Sequence, residues 1–267
     1  MRVAAAQLPP MHASADKIFT TGNAVIMLDG ASAIEPVPVA PDIYADALGT
    51  HLRDHLDADP AADLVEVLAA AIADVTAHCG LRAGHSPSST VTIVRHHGDD
   101  LDVLVLGDNL VVLPPAAVSD DRMDRLDLAA RRAYRQRLAA GYGFDDEHRR
   151  TLRDLQAAQA GLRNRAGGYW IAEADPRAAH HAVTRRFPVA DVPWAVLATD
   201  GAYEPVRHLN IDDWAHLATL TSTGLHDLLS QCQDWEATVD PLAQDLPRAK
   251  QSDDKSLALA TFHPDGD

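Results

Sequence analysis

Positive charge is scarce in this sequence of 267 residues. Lysine and arginine together number 23, against 39 aspartate and glutamate residues, and the formal net charge is −16 at pH 7. A nucleic-acid-binding surface needs clustered positive charge to neutralise phosphates, so this balance argues against such a function. Hydrophobic residues make up 46% of the chain, which is ordinary globular usage and predicts a sizeable core, not disorder.

Cysteine and long apolar runs are also in short supply. Cys79 and Cys232 are too few for a disulfide framework, and neither lies in the Cys-x5-Arg loop that a cysteine phosphatase requires. No run of about 18 apolar residues occurs and no cleaved-leader pattern is visible, so we expect a cytoplasmic protein that does not cross a membrane. The Gly-rich loop with Lys-Ser or Lys-Thr that marks P-loop nucleotide enzymes is missing as well.

Strand signals occur in runs, with helical signals grouped between them. This order favours an α+β domain of antiparallel sheets over an alternating βαβ fold. No repeat or change of composition divides the chain, so we expect one domain over residues 1–267. Strands are expected over residues 25–28, 90–94, 101–106, 111–113, 169–172, 180–186, 192–198 and 257–262. Helices are expected over residues 44–56 and 63–80, in two pieces within 122–159, and over 212–220 and 225–235.

Four acidic motifs lie at strand boundaries. Asp29 and Asp200 each follow an apolar strand and precede a glycine, Asp108 follows the strand from Leu101, and Asp253 comes just before the last strand. Carboxylates clustered at one end of a sheet repel each other and are best tolerated around a hard divalent cation such as Mg²⁺ or Mn²⁺. Taken singly, each motif is more typical of a tight turn than of a metal site, because Asp-Gly and Asp-Asn are common turn pairs.

The order and context of these motifs resemble the metal-dependent serine/threonine protein phosphatases of type 2C, the PPM family. The resemblance runs from Asp16 to Phe262. The segments that carry it are Asp16, Val25-Ile26-Met27-Leu28-Asp29-Gly30, Ser88-Ser89-Thr90-Val91, Leu106-Gly107-Asp108-Asn109, Leu197-Ala198-Thr199-Asp200-Gly201-Ala202 and Asp253-Asp254-Lys255-Ser256.

The resemblance implies an αββα sandwich, in which two antiparallel β-sheets are flanked by helices and a cleft at one edge holds two Mn²⁺ or Mg²⁺ ions, with a weaker third. Two metals can activate a water for in-line attack on a phosphomonoester without a nucleophilic side chain. The implied ligands are Asp29 as the bridge, the carbonyl of Gly30, Asp200 and Asp253 at the first ion, Asp16 through water, and Asp108 at the third ion.

The chain departs from the family pattern at two motifs. Ala15 precedes Asp16 where the family usually has Glu-Asp, and the usual Asp-Gly-His-Gly segment is here Asp29-Gly30-Ala31-Ser32. The family's phosphate-binding arginine shortly upstream of the first motif has no match. Lys17, Arg163 and Arg165 are the candidates for its role, and each has a solvated surface role as its alternative.

We therefore expect a metal-dependent phosphomonoester hydrolase that acts on phosphoserine or phosphothreonine of a protein substrate. The alternative is a phosphatase-like binding module that recognises a phosphorylated partner without turnover. A haloacid-dehalogenase phosphatase would need a nucleophilic aspartate at position 27, which is Met27. A zinc site at the pairs His96-His97 or His180-His181 is disfavoured, since adjacent residues of a strand point to opposite faces.

Overall fold

The strands account for two five-stranded antiparallel sheets in this computed structural model, which describes residues 1–34 and 36–262. Residues 35 and 263–267 of the expected domain lie outside the described residues. The strands are β1 (Arg2–Leu8), β2 (Lys17–Thr20), β3 (Ala24–Leu28), β4 (Val91–His97), β5 (Asp100–Leu106), β6 (Leu110–Leu113), β7 (Ala116–Val118), β8 (Val183–Pro188), β9 (Trp194–Ala198) and β10 (Lys255–Thr261). One sheet has the order β1-β10-β9-β6-β7 and the other β2-β3-β4-β5-β8.

Helices cover the outer faces of both sheets, which confirms the predicted α+β sandwich. They are α1 (Pro41–Ala58), α2 (Leu64–His78), α3 (Ala129–Ala139), α4 (Asp146–Ala160), α5 (Asp200–His208), α6 (Trp214–Leu217) and α7 (Ser222–Thr238). Within the described part of the chain, no helix is both long and apolar enough to pass through a lipid bilayer.

The alternation of side chains along each strand divides the core into layers. In β3, Val25 and Met27 pack between the two sheets, while Ile26 and Leu28 pack under α1 and α2. In β10, Ala258 packs between the sheets while the neighbouring leucines face α7. A strand buried on both faces reads as a continuous apolar run, which is why β3 is evident from sequence.

Helix α2 shows how a local signal fixes an element boundary. The carboxylate of Asp63 accepts hydrogen bonds from the backbone N–H groups of Val65 and Glu66, at 2.9 and 3.2 Å, and so caps the helix. The apolar side chains from Leu64 to Val75 are buried against the sheet β2-β3-β4-β5-β8. The expected helix over 63–80 is therefore confirmed to within two residues.

Three sequence expectations for secondary structure are wrong. Residues 169–172 form only isolated bridges, from Tyr169 to Arg163 and from Ala172 to Ser89, because a neighbouring strand does not continue beside them. Residues 176–181 form a 3-10 turn that Asp175 caps, so the strand expected over 180–186 begins at Val183 instead. The segment 122–128 is made of turns, and α3 begins only at Ala129.

We expect Leu197→Ala to lower the free energy of unfolding by about 2–5 kcal/mol, since it opens a cavity between the sheets. Leu197 is fully buried there, in β9. Urea unfolding followed by circular dichroism measures the change. Ile43→Ala is the matched control on exposed α1 surface, and its effect should stay within about 0.5 kcal/mol. Equal effects of the two substitutions would contradict this account of the core.

Candidate metal centre

The antiparallel register brings the ends of four strands to one end of the sandwich. In the α1/α2 sheet, Met27 pairs with Thr92 and Val91 pairs with Leu106, so β3 and β5 end beside the start of β4. In the other sheet Leu257 pairs with Ala198, so β9 ends beside the start of β10. The acidic residues that follow or precede these strands therefore lie at one end of each sheet.

A cavity of about 1280 Å³ opens at this end. Four of the sequence-predicted carboxylates line it, together with one of the predicted phosphate-binding residues. These residues are Asp29, Asp108, Asp200, Asp253 and Arg163.

The backbone of Asp29 is held in place by the Ser88-Ser89-Thr90-Val91 segment. Its N–H donates to the hydroxyl of Thr90 at 2.9 Å, and its carbonyl accepts from the N–H of Thr90 and the hydroxyl of Ser89, each at 2.9 Å. The next residue, Gly30, is closely surrounded, since a Cβ there would stand 2.9 Å from the carbonyl oxygen of Ala15. By holding the backbone of Asp29, the Ser88-Ser89-Thr90-Val91 segment also sets the direction of the Asp29 side chain.

Asp200 opens helix α5 directly after β9. Its Oδ1 accepts a hydrogen bond from the N–H of Gly201 at 2.6 Å. A Cβ at Gly201 would clash with the carbonyl oxygen of Asp254, so only glycine allows α5 to begin this close to the loop before β10. Thr199, the preceding residue, accepts from the N–H of Ser256 at 3.0 Å and so ties the end of β9 to β10.

A buried ion pair fixes the loop that carries Asp253. The ammonium of Lys255 donates to Oε2 of Glu236 in α7 at 2.7 Å and to the carbonyl of Asp253 at 3.1 Å, and both charged side chains are fully enclosed. The hydroxyl of Ser252 donates to the same Glu236 oxygen at 2.9 Å. Removing either ion would leave the other buried without a partner, which is strongly destabilising.

Asp254 joins this loop to the N-terminal motif. Its Oδ2 accepts from the hydroxyl of Ser14 at 2.9 Å and from the N–H of Ala15 at 2.6 Å. These two bonds connect segments that are about 240 residues apart in the sequence and place Asp16 behind the cavity wall.

Four predicted residues are not part of the cavity lining, namely Gly30, described above, and Asp16, Lys17 and Arg165. Asp16 is buried, with Oδ2 accepting from the hydroxyl of Thr199 at 2.9 Å and Oδ1 without a hydrogen-bond partner among the described residues. Lys17 is also buried, and its ammonium donates to the carbonyls of Ser14 and Met11 at 2.6 and 2.8 Å. Arg165 is exposed and away from the cavity lining.

The position of Lys17 corrects its sequence-based assignment. An ammonium that is enclosed and shared by two carbonyl oxygens holds the turn before β2 and does not face the cavity. Arg163 does face it, and donates from Nε to the hydroxyl of Tyr169 at 3.3 Å. Of the three predicted phosphate ligands, Arg163 is therefore the one that lines the carboxylates' cavity.

Burial and mutual repulsion make the carboxylates of this end hard to ionise. Burial, followed by the charges of Asp16, Asp200 and Asp253, raises the pKa of Asp29 well above its ordinary range. Burial, with the neighbouring charge of Asp200, raises the pKa of Asp108 to about 7, and burial with the charges of Asp254 and Asp200 does the same for Asp16.

The donor set fits a hard divalent cation in its chemistry. Carboxylate oxygens are the ligands that Mg²⁺ and Mn²⁺ prefer, and the unpartnered buried Oδ1 of Asp16 adds a further oxygen close behind them. Across residues 1–34 and 36–262, however, no three His, Cys, Asp or Glu side chains converge tightly enough to enclose an ion. The acids thus line the cavity as separate like charges, and a cation would have to draw them together.

Sequence reasoning missed several charged residues of the cavity, among them Asp124, Glu204 and Lys250. Glu204 follows Asp200 by one helical turn, so an i, i+4 reading of α5 would have placed both on one face. Lys250 forms an ion pair with Asp253, three residues away. Asp124 lies in the turn segment before α3, where no periodicity predicts the direction of a side chain.

Solved structures of phosphatases share this architecture. The PPM Ser-Thr phosphatase MsPP from Mycobacterium smegmatis, in complex with cacodylate, is 16% identical, with 98% of this chain and 99% of that one aligned and a TM-score of 0.54. The serine/threonine phosphatase Stp1 from Staphylococcus aureus is 11% identical, over 99% and 96% of the two chains, with a TM-score of 0.58. The chain has the PPM phosphatase fold.

The catalytic domain of the serine threonine protein phosphatase PstP, in complex with two manganese ions, matches the PPM-type fold of this chain at 14% identity, over 97% of each chain and with a TM-score of 0.52. No protein-family model and no curated protein sequence matches the chain. The predicted resemblance to the PPM family is therefore confirmed for the fold, by structures whose sequences have diverged far from this one.

We expect the stability of the EDTA-treated protein to fall as the pH rises from about 5 to about 8, in part through Glu204. Burial, with the charge of Asp200, raises the pKa of Glu204 to about 7, against about 4.3 for an unperturbed glutamate. The folded chain therefore holds this proton more tightly than the unfolded chain, and the resulting stabilisation is lost as the pH rises through 7.

Urea unfolding at a series of pH values measures this slope. Glu204→Gln removes the titrating group and should flatten the slope, whereas Glu66→Gln, at an exposed position in α2, should leave it as in the wild type. Identical slopes for Glu204→Gln and wild type would contradict the assignment.

Proposed function

We propose that this chain is a metal-dependent phosphomonoester hydrolase that removes phosphate from phosphoserine or phosphothreonine of proteins. The observation that carries the proposal is the meeting of Asp29, Asp200 and Asp253 on one cavity of a PPM-type fold, although they are far apart in sequence. The substrate class is taken from the phosphatases that share the fold. We further propose a single domain over residues 1–267 and a cytoplasmic location.

The carboxylates would bind Mn²⁺ or Mg²⁺. Two ions would be held by Asp29, the Gly30 carbonyl, Asp200 and Asp253, and a third by Asp108. Asp16 acts from behind the wall through water, consistent with its unpartnered buried oxygen. When bound, such ions supply the Lewis acidity that lowers the pKa of a water and balances the charge developing on phosphorus oxygens.

The protein's own residues bind and orient the substrate. Arg163 lines the cavity, and a guanidinium has the planar set of N–H donors that suits phosphate oxygens. Arg165, on the same loop but outside the cavity, is the candidate for contact with the rest of a protein substrate. Helices α3 and α4 contribute further basic residues to the cavity lining, including Arg131 and Arg153.

Covalent catalysis by a thiol is not supported by the positions of the cysteines. Neither Cys79 nor Cys232 lines the cavity. Burial in the α7 layer raises the pKa of Cys232 to about 11, so its nucleophilic thiolate form is rare at neutral pH. The proposal therefore takes solvent water, and not a thiol, as the nucleophile.

Asp200→Asn should lower the metal-dependent hydrolysis of an aryl phosphate and of a phosphothreonine peptide by about 10²–10⁴-fold, since it removes a charge that holds the cation but keeps the side-chain size. Higher Mn²⁺ should restore part of the loss, because the defect is one of occupancy. Asp227→Asn, at an exposed position on α7, is the matched control and should be silent. Unchanged turnover in Asp200→Asn would refute the assignment, and peptide binding without any turnover would favour the binding module.

Hydrolysis in H₂¹⁸O should place one solvent oxygen in the released phosphate, with no phosphorylated protein formed on the way. Mass spectrometry of the phosphate, together with an acid quench of the protein in mid-reaction, measures both. A trapped aspartyl- or cysteinyl-phosphate would show that a side chain is the nucleophile and would exclude the proposed mechanism even with this fold.

A further inference from the structure

Lysine is used at few places in this chain. Only three of the 23 basic residues are lysines, namely Lys17, Lys250 and Lys255. Lys17 and Lys255 are buried, the first on two carbonyl oxygens and the second on Glu236. Lys250 differs from both, because its side chain is 39% exposed and it lines the cavity of the candidate metal centre.

The partner of Lys250 is one of the proposed metal ligands. Its ammonium forms a short ion pair with Oδ1 of Asp253, an oxygen that also accepts the N–H of Asp254 at 2.9 Å. Among the described residues, Lys250 is the only basic side chain in a salt bridge with any of the four cavity carboxylates Asp29, Asp108, Asp200 and Asp253. The other basic residue of this loop, Arg248, is occupied by Asp240 at 2.8 Å.

Several carboxylates face this one ammonium. The ammonium of Lys250 pairs with Asp253, and Asp29 and Asp200 line the same cavity. An isolated ion pair between half-exposed side chains contributes little to stability. Here, however, the positive charge offsets repulsion within a cluster, and its removal would leave Asp253 beside Asp29 and Asp200 without a counter-ion.

We propose that Lys250 is an internal counter-ion that competes with the divalent cation for Asp253 and thereby weakens and tunes metal binding. The inference rests on the proposed function, since it requires Asp253 to be a metal ligand. A cation that binds Asp253 must either displace the ammonium from Oδ1 or share the carboxylate with a neighbouring positive charge, and both lower the affinity.

The first test is isothermal titration of Mn²⁺ into EDTA-stripped wild type, Lys250→Gln, Lys250→Arg and Arg53→Gln. Lys250→Gln should bind Mn²⁺ about tenfold more tightly, and Lys250→Arg, which keeps the charge, should stay near wild type. Arg53→Gln is the matched control, since it also removes one charge from a half-exposed ion pair, with Asp54, away from the cavity.

The outcomes separate the two proposals. Equal or weaker binding by Lys250→Gln than by wild type would overturn the counter-ion role while leaving the metal-dependent hydrolase in place. Failure of every protein to bind Mn²⁺ would overturn both. A tighter Lys250→Gln with unchanged Arg53→Gln would support the competition.

A second measurement on the wild-type chain does not depend on the variants folding. Labelling lysine with ¹³C at Cε gives one ε-methylene signal for each of Lys17, Lys250 and Lys255. Saturation with diamagnetic Mg²⁺ should shift the Lys250 signal as its ion pair is disturbed, while the signal of Lys17, on the carbonyls of the β2 turn, should stay in place. A Lys250 signal that does not move when calorimetry shows Mg²⁺ bound would overturn the inference.

Discussion

Repulsion among carboxylates at one end of the sandwich is the constraint that shapes the rest of this site. Asp29, Asp108, Asp200 and Asp253 line one cavity, and the antiparallel register places each of them at the end of its sheet. Like charges this close raise each other's pKa and lower the stability of the folded chain. The surrounding structure must hold these acids in place against that repulsion.

The restraint comes from the backbone and from neighbouring side chains, not from the acids themselves. Thr90 holds the main chain of Asp29, and Asp254 joins the C-terminal loop to Ala15. Lys255, held by its buried ion pair with Glu236, donates to the carbonyl of Asp253 and so fixes the backbone there. Breaking a buried ion pair costs far more stability than breaking an exposed one, so the Lys255–Glu236 pair anchors this loop away from water. The carboxylate of Asp253, on the same loop, remains at the cavity.

An element could be predicted from sequence where the pattern that defines it lies within its own residues. Strand β3 and helix α2 were predictable because burial on both faces, and a capped apolar stripe, leave unambiguous patterns. Strand β1 was missed because Arg2–Leu8 is rich in alanine, a weak strand former, and gains its order from pairing with β10. The burial of Lys17 could not be predicted either, because its carbonyl partners are set by a turn.

The departures from the family pattern fit a redistribution of charge within the site. Ala15 has no carboxylate to offer, but its N–H binds Asp254 and its carbonyl accepts from Gly30 at 3.2 Å, so the backbone holds the motif together. Positive charge near the acids is found at Arg163, which lines the cavity, and at Lys250, which pairs with Asp253. A cation on the metal-ligand side of a cleft acts first on the carboxylates and only then on a substrate. Under the proposed function, Lys250 on the loop 247–254 would act on metal affinity through Asp253, whereas Arg163 on a separate segment would contact the phosphate.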